Sequence, residues 1–275
     1  MLKRTSGIVL KSSVFGEADL IVTYLTSDYG VLKVFAKSPR KMKSRFGSSL
    51  EPLTYSRISF FGKEETALPR LTQADIIRPF NSLREDFRTL VAICEMLELN
   101  ICFLPERDPC PELFDLLLTT LTKLETNSGR RLYYLFYKIK FLEMTGYSPK
   151  LDVCGRCGSG VHHGNDRGRT EPGASGVSAQ GWYDFYILHG SIICPGCRSA
   201  GDESLQLSRS ALKFYRSIQQ WNSALIDRIQ APESLVSEIG GVIDSHISYA
   251  LGPSRIARGK YLKGASQYGI SGQTV

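Results

Sequence analysis

The sequence predicts an α+β protein: an N-terminal five-stranded OB-type β-barrel followed by an α-helical domain with an inserted four-cysteine zinc site. Three observations lead there. Short runs rich in Val, Ile, Leu, Phe, Tyr and Thr, parted by turn residues, fill the stretch up to Pro79. Beyond it, apolar residues recur at three and four. Two Cys-x-x-Cys pairs then flank a Gly- and Ser-rich stretch. A change of apolar period from two to 3.6 marks a change from strand to helix. The expected organisation is residues 1–79 as a nucleic-acid-binding domain, 80–252 as a helical domain with the zinc-binding insertion at 150–204, and 253–275 as a basic C-terminal tail.

The strand candidates are Ile8–Leu10, Asp19–Thr26, Val31–Ala36, Tyr55–Phe61 and Leu71–Ile77. Phe15-Gly16-Glu17, Ser27-Asp28-Tyr29-Gly30, Ser38-Pro39 and Gly62-Lys63-Glu64 supply turn chemistry between them. Five strands in so short a span fit a small barrel, of OB or SH3-like topology. Phe87, Leu90, Val91, Cys94, Leu97, Ile101 and Leu104 mark one helix face, stopped by Pro105. Leu113–Leu124 and Leu132–Leu142 mark two more. After the insertion, Leu207–Leu225 and Leu235–Leu251 mark the last two, with Ser208 as N-cap and Gly252-Pro253 as terminator. Gly240-Gly241 inside the final helix costs roughly 1 kcal/mol per glycine against alanine, and a close helix contact is the expected compensation. Within the insertion, Gly158–Gly181 reads as a loop, and Trp182–Tyr186 with Ser191–Ile193 as a hairpin that delivers Cys194.

At 275 residues the chain is long enough for a sizeable core. No apolar run reaches the roughly 18–20 residues of a membrane span. Lys11, Glu17 and Asp19 interrupt the N-terminal apolar patch, so it does not read as a secretion signal, and a cytoplasmic protein without membrane contact is expected. The net charge of +7 sits almost wholly in the first 79 residues, with thirteen Lys/Arg against seven Asp/Glu. Its densest part is VLKVFAKSPRKMKSRFG, where Lys33, Lys37, Arg40, Lys41, Lys43 and Arg45 run without a carboxylate between them. Five close cations on one loop repel one another unless an anion joins them, so these residues are the candidate polyanion-binding set. Phe35, Phe46 and Tyr24 are candidates to stack on bases, although burial in the barrel is the plainer reading.

Seven cysteines are present, four of them in Cys154-Gly155-Arg156-Cys157 and Cys194-Pro195-Gly196-Cys197. Two intervening residues let both thiolates of a pair reach one ion, and two pairs fill a tetrahedral shell, so Cys154, Cys157, Cys194 and Cys197 are predicted to hold one structural Zn2+. Four sulfurs leave no position for water, which argues against a catalytic metal. A redox Cys-x-x-Cys fits poorly, because neither pair follows a strand in a βαβ pattern. His162, His163 and His189 are spare ligands in principle and loop histidines in the plainer reading. The chain has no Gly-x-x-x-x-Gly-Lys-[Ser/Thr] loop, no Gly-x-Ser-x-Gly elbow and no His-x-Glu, so no enzyme is predicted.

Gly7-Ile8-Val9-Leu10, Gly16 through Val22, Thr26 through Gly30, and Lys43-Ser44-Arg45-Phe46-Gly47 followed by Leu50 and Pro52 resemble the bacterial RecO family of DNA repair and recombination proteins. Later signals fit in order: a helical section, Gly146-Tyr147 before the first cysteine pair, the hairpin before the second, and Leu207-Ser208 opening a helix. His189-Gly190 departs from the family's frequent Gly-Gly turn, and the 159–180 loop is longer than usual. The resemblance implies an N-terminal OB-fold, a helical C-terminal domain, and a zinc that serves folding. It also implies a nucleoid-associated protein that binds single- and double-stranded DNA and anneals complementary strands. Further implications are work with RecR to load RecA onto strands coated by single-strand binding protein (SSB), and capture of SSB's acidic, hydrophobic C-terminal tail by the helical domain. Arg130, Arg131, Lys213 and Arg216 are candidates for the cationic rim of such a groove, and a solvated helix face explains them equally well. The competing reading from another class is a zinc-ribbon RNA-binding factor of translation or ribosome assembly.

Overall fold

The computed structural model describes residues 1–40, 44–62, 68–127, 131–160, 182–199 and 203–256. Met1–Tyr137 forms one compact unit and Lys138–Arg258 a second.

The first unit opens with β1 (Leu2–Phe15), β2 (Asp19–Thr26), β3 (Gly30–Ala36), β4 (Tyr55–Phe61) and β5 (Arg70–Arg78). β1 is much longer than its apolar stretch: Leu2 to Ile8 pairs with β4, and Gly7 onward pairs with β2. The inward-facing residues form one core that includes Val9, Val22, Tyr24, Leu32, Val34, Ile58, Phe60 and Leu71. On the opposite face Ile8, Leu25 and Val31 are also buried. That second layer lies beside α1 (Phe87–Phe103) and α2 (Pro111–Thr126), which pack next to β1 and β2. Each helix begins as its sequence dictates. Asp86 caps α1 by accepting the Thr89 N–H at 2.8 Å, and Pro111 occupies the first turn of α2, where no backbone donor is needed.

The expected barrel needs correction. The strand order β1-β2-β3-β5-β4 does return to β1. However, β3 and β5 meet at a single parallel pair, Phe35 with Arg70, beside one Phe35 N–H to Pro69 carbonyl hydrogen bond of 2.7 Å. The five-stranded sheet is thus joined back on itself through that one corner, a narrower closure than the expected barrel. The chain after α1 lies against the other end of β3. Glu106 bridges to Val31, and the Arg107 N–H donates to the Val31 carbonyl at 2.9 Å, so this segment occupies the edge of β3.

The second half holds more strand than the one hairpin expected within its insertion. The second unit contains most of α3 (Arg131–Thr145), then β6 (Lys150–Cys154), β7 (Trp182–Tyr186), β8 (Ser191–Ile192) and β9 (Ser204–Ser208). These form a four-stranded sheet in the order β6-β8-β7-β9. α4 (Arg209–Gln220) and α5 (Glu233–Ile256) pack beside β9 and each other. The predicted hairpin is present, with Gly190 at φ +55 in its turn. Ser208 caps α4 through the Ala211 N–H at 3.1 Å, but Leu207 belongs to β9 and not to the helix. α5 breaks at Gly252, whose φ of +67 is non-helical. A Cβ added at Gly240 or Gly241 would meet nothing within 4 Å, so close packing does not account for that pair.

Gly30 carries the tightest constraint in the first unit. Its φ is +59, and a Cβ there would run into the Asp108 backbone. Gly30→Ala is expected to lower stability by roughly 3 kcal/mol, combining left-handed strain with a backbone collision. Gly16→Ala, with φ +65 and open space around it, serves as the control at about 1 kcal/mol. Urea denaturation of the two variants reads the difference.

Candidate metal centre and nucleic-acid interface

The cysteine centre is built by the small sheet. β6 ends at Cys154, which pairs with Ile192 of β8, and two residues later β8 runs into Cys194. In the first knuckle the Cys154 N–H donates to Ser159 O at 2.8 Å, and Gly158, at φ +72, donates to Cys154 O at 2.9 Å. Gly155 must be glycine, because a Cβ there would collide with the Ser191 side chain. In the second knuckle the Cys197 N–H donates to Cys194 O at 2.9 Å. Arg156 ties the two together: one Nη donates to Cys197 O at 2.5 Å and to Ser199 Oγ at 2.5 Å, while the other lies 3.2 Å from His189 Nε2. His189 therefore faces Arg156, and the four ligand candidates are cysteines alone. His162 and His163 lie outside the described residues.

The sulfurs of Cys154, Cys157, Cys194 and Cys197 all lie within 4.8 Å of one another, and the Cys157–Cys194 separation is 3.7 Å. Tetrahedral thiolates about 2.3 Å from a metal stand about 3.8 Å apart, so the set is compatible with a structural metal site. The electrostatics agree. Burial opposes ionisation of Cys154, but backbone N–H groups of Cys194, Cys157 and Arg156 outweigh it and hold the thiol down at about 6. The Ser159 hydroxyl and N–H lower Cys157. Cys197 moves the other way, pushed up to about 12 by Cys194 and Cys157. Four thiolates cannot share so small a space without a cation between them, and a divalent metal removes that conflict.

The cationic segment begins where β3 ends. Lys33 stands on β3 itself, with its ammonium 2.5 Å from Glu106 on the surface. Lys37 is exposed. The Ser38 N–H donates to Asp19 Oδ1 at 2.6 Å, and Arg40 donates from its side chain to Glu17 O at 3.2 Å and from its backbone to Ala18 O at 3.4 Å. These bonds tie the start of the segment to the β1–β2 turn. Its far end is anchored by Phe46, buried in the core, with the Arg45 guanidinium 4.9 Å from that ring. Lys41 and Lys43 lie outside the described residues. Of the three stacking candidates, Tyr24 and Phe46 are buried and have no face for a base. Phe35 is half-buried and meets a residue that the sequence reading missed: Phe15, ring centroid 5.9 Å away and edge-on at 89°. Its position beside Gly16 made it look like part of a turn.

The four rim candidates do not form one described group. Arg131 is an exposed residue of the first unit, and Arg130 lies outside the described residues. In the second unit Lys213 is exposed, while Arg216 forms an ion pair with Asp152 of β6. The basic tail from residue 257 onward also lies outside the described residues, and no described helix is long and apolar enough to cross a membrane.

Two family models match this chain. Recombination protein O N terminal covers residues 1–80, and Recombination protein O C terminal covers residues 84–258. The chain belongs to the RecO family. It is 41% identical over 253 residues to the DNA repair protein RecO of Thermodesulfovibrio yellowstonii, covering 90% of this chain and 93% of that one. A RecO of Dehalococcoides mccartyi is 31% identical over 249 residues, 90% of each chain. The Bacillus pumilus RecO is 28% identical over 246 residues, covering 90% of this chain and 88% of its own. The family assignment spans both the curled sheet and the cysteine centre.

If the cysteines hold metal, Cys154→Ser should reduce bound metal from about one ion per chain to near none. The melting temperature should fall by roughly 5–10 °C, measured by calorimetry beside metal analysis. With Cys197 raised to about 12, at least one thiol proton must leave when metal enters at neutral pH. Metal added to stripped protein in weak buffer should therefore release protons, and affinity should fall as pH falls.

Proposed function

We propose that this chain is a non-enzymatic, DNA-binding mediator of recombinational repair. In this reading it holds single- and double-stranded DNA, anneals complementary strands, and acts with RecR to load RecA onto strands covered by SSB, whose acidic tail it captures. It works in the bacterial cytoplasm, associated with the nucleoid. The observation that carries the proposal is membership of the RecO family along both halves of the chain, supported by relatives named as DNA repair proteins.

The chemistry is consistent with that role. Annealing forms and breaks no covalent bond. It requires neutralised phosphates, so that two anionic strands approach, and a surface that then releases the product. Lys37, Arg40 and Arg45, with Lys33, Lys41 and Lys43, are the cations proposed to contact phosphate, and the anchoring of the segment to Asp19, Glu17 and Ala18 limits the ordering needed on binding. Cys154, Cys157, Cys194 and Cys197 would hold a zinc ion whose contribution is folding energy, because four sulfurs fill its shell and leave no place for a reacting group. Arg131, Lys213 and Arg216, with Arg130, remain proposed contacts for the SSB tail; the ion pair of Arg216 with Asp152 would have to open for it to take part.

Titration of labelled single-stranded DNA across a salt series tests the central claim. If about five phosphates are contacted, log affinity should fall against log salt with a slope of roughly −3 to −4. Lys37/Arg40/Lys41/Lys43/Arg45→Ala should flatten that slope and weaken binding without unfolding the protein. Annealing should proceed without nucleotide or divalent metal. A preference for matched RNA over DNA, with no capture of SSB, would favour the RNA-binding alternative.

A further inference from the structure

We infer that the end of the N-terminal sheet bearing Phe15, Ile21 and Phe35 is a stacking platform for the bases of single-stranded DNA. We further infer that this platform, more than the cationic segment, makes the chain distinguish single strands from duplex. The inference rests on the DNA-binding reading above and assigns it a specific surface.

Strand alternation defines the surface. Val34 and Ala36 are fully buried, so Phe35 between them projects from the opposite face of β3. Its cross-strand partner on β2 is Ile21, which precedes the buried Val22 and shares that outward face. Phe15, paired with Asp19 at the end of β1, brings its ring edge-on to Phe35. Further along the same strands Ile8, Leu25 and Val31 are buried on their outward side. At this end burial is incomplete: Phe15 is 53% exposed, and Ile21 and Phe35 are half-buried. An exposed ring resting on half-buried apolar neighbours is the kind of surface a partner can cover.

Its border identifies the partner as anionic. Lys11 and Lys37 are exposed, and Arg70 is exposed and is the register partner of Phe35 at the β3–β5 corner. Arg40 is held against the β1–β2 turn by its bonds to Glu17 and Ala18 carbonyls. Two carboxylates share this end. Asp19 accepts the Ser38 N–H, and Glu17 is exposed. Aromatic faces set among cations match a chain of π-faced bases on a phosphate backbone. A duplex keeps its base faces stacked inside, so it can use the cations and not the rings. The edge-on contact with half-buried Phe35 fixes Phe15 before any base arrives, which reduces the entropy lost on stacking.

The test compares a labelled oligothymidylate with a duplex of equal length, using wild type, Phe15→Ala, Phe15→Trp and Lys37/Arg40/Arg45→Ala, with thermal melts as folding controls. Phe15→Ala should weaken single-strand binding roughly 5- to 50-fold. It should leave the salt slope unchanged, because no cation is removed. Duplex affinity should change by less than about twofold. Phe15→Trp should restore single-strand affinity, and its indole fluorescence should be quenched when DNA binds. If Phe15→Ala binds single strands like wild type while the cation variant does not, the platform is overturned and the DNA-binding reading stands. Equal losses on single strands and duplex would overturn it too. Failure of the wild type to hold any single strand would overturn both. Phe15 is exposed, so its variants decide the matter even if Phe35→Ala proves unstable.

Discussion

A β-strand sends alternate side chains to opposite faces, and at one end of β1, β2 and β3 both sets are apolar, Val9, Tyr24 and Leu32 inward and Ile8, Leu25 and Val31 outward. One set closes the core around Val9, Tyr24 and Leu71. The other needs a cover, and α1 and α2 lie beside β1 and β2 to provide it. The cover ends before the strands do, and the candidate interface depends on that mismatch. Toward the helices the outward residues are the buried Ile8, Leu25 and Val31; at the other end they are the exposed Phe15 and the half-buried Ile21 and Phe35, bordered by Lys and Arg. The hydrogen bonds from Ser38 and Arg40 to Asp19, Ala18 and Glu17 then hold the cationic segment against the same end. Rings and charges meet there because the helices stop and the turn is tied, and not through any single motif.

The cysteine centre solves a different problem. Its two knuckles stand 36 residues apart in sequence. The pairing of β6 with β8 puts Cys154 next to the strand that leads to Cys194, and Arg156 then bonds from one knuckle to the backbone of the other. The thiols diverge, Cys154 lowered to about 6 by backbone N–H groups that outweigh its burial and Cys197 raised to about 12 by the neighbouring Cys194 and Cys157. A small sheet and one guanidinium bring the four sulfurs together, beside a buried cluster that includes Tyr186 and Ile193.

What the sequence made legible follows from how local each signal is. The cysteine spacing is a local signal, and all four ligand candidates were readable. So were β2 and β4, whose apolar runs match their spans. The first residues of β1 were hidden because Lys3, Arg4, Thr5 and Ser6 are polar and become strand only by pairing with β4. β6 and β9 escaped notice because five residues carry little period, and Leu207 happened to fall in register with the helix that follows it. Burial was least legible. Tyr24 and Phe46 share their chemistry with Phe15, but only the fold assigns two of them to the core and leaves the third outside. The same holds for Lys33, whose partner Glu106 is 73 positions away.

The segment after α1 has one more effect. By bridging Val31 to Glu106 and engaging the Val31 carbonyl with Arg107, it sits where β3 would otherwise offer a run of unpaired amides and carbonyls. Such a rim is an invitation to foreign strands, and open sheets are prone to recruit one another along it. The short link between two helices thus covers part of that rim.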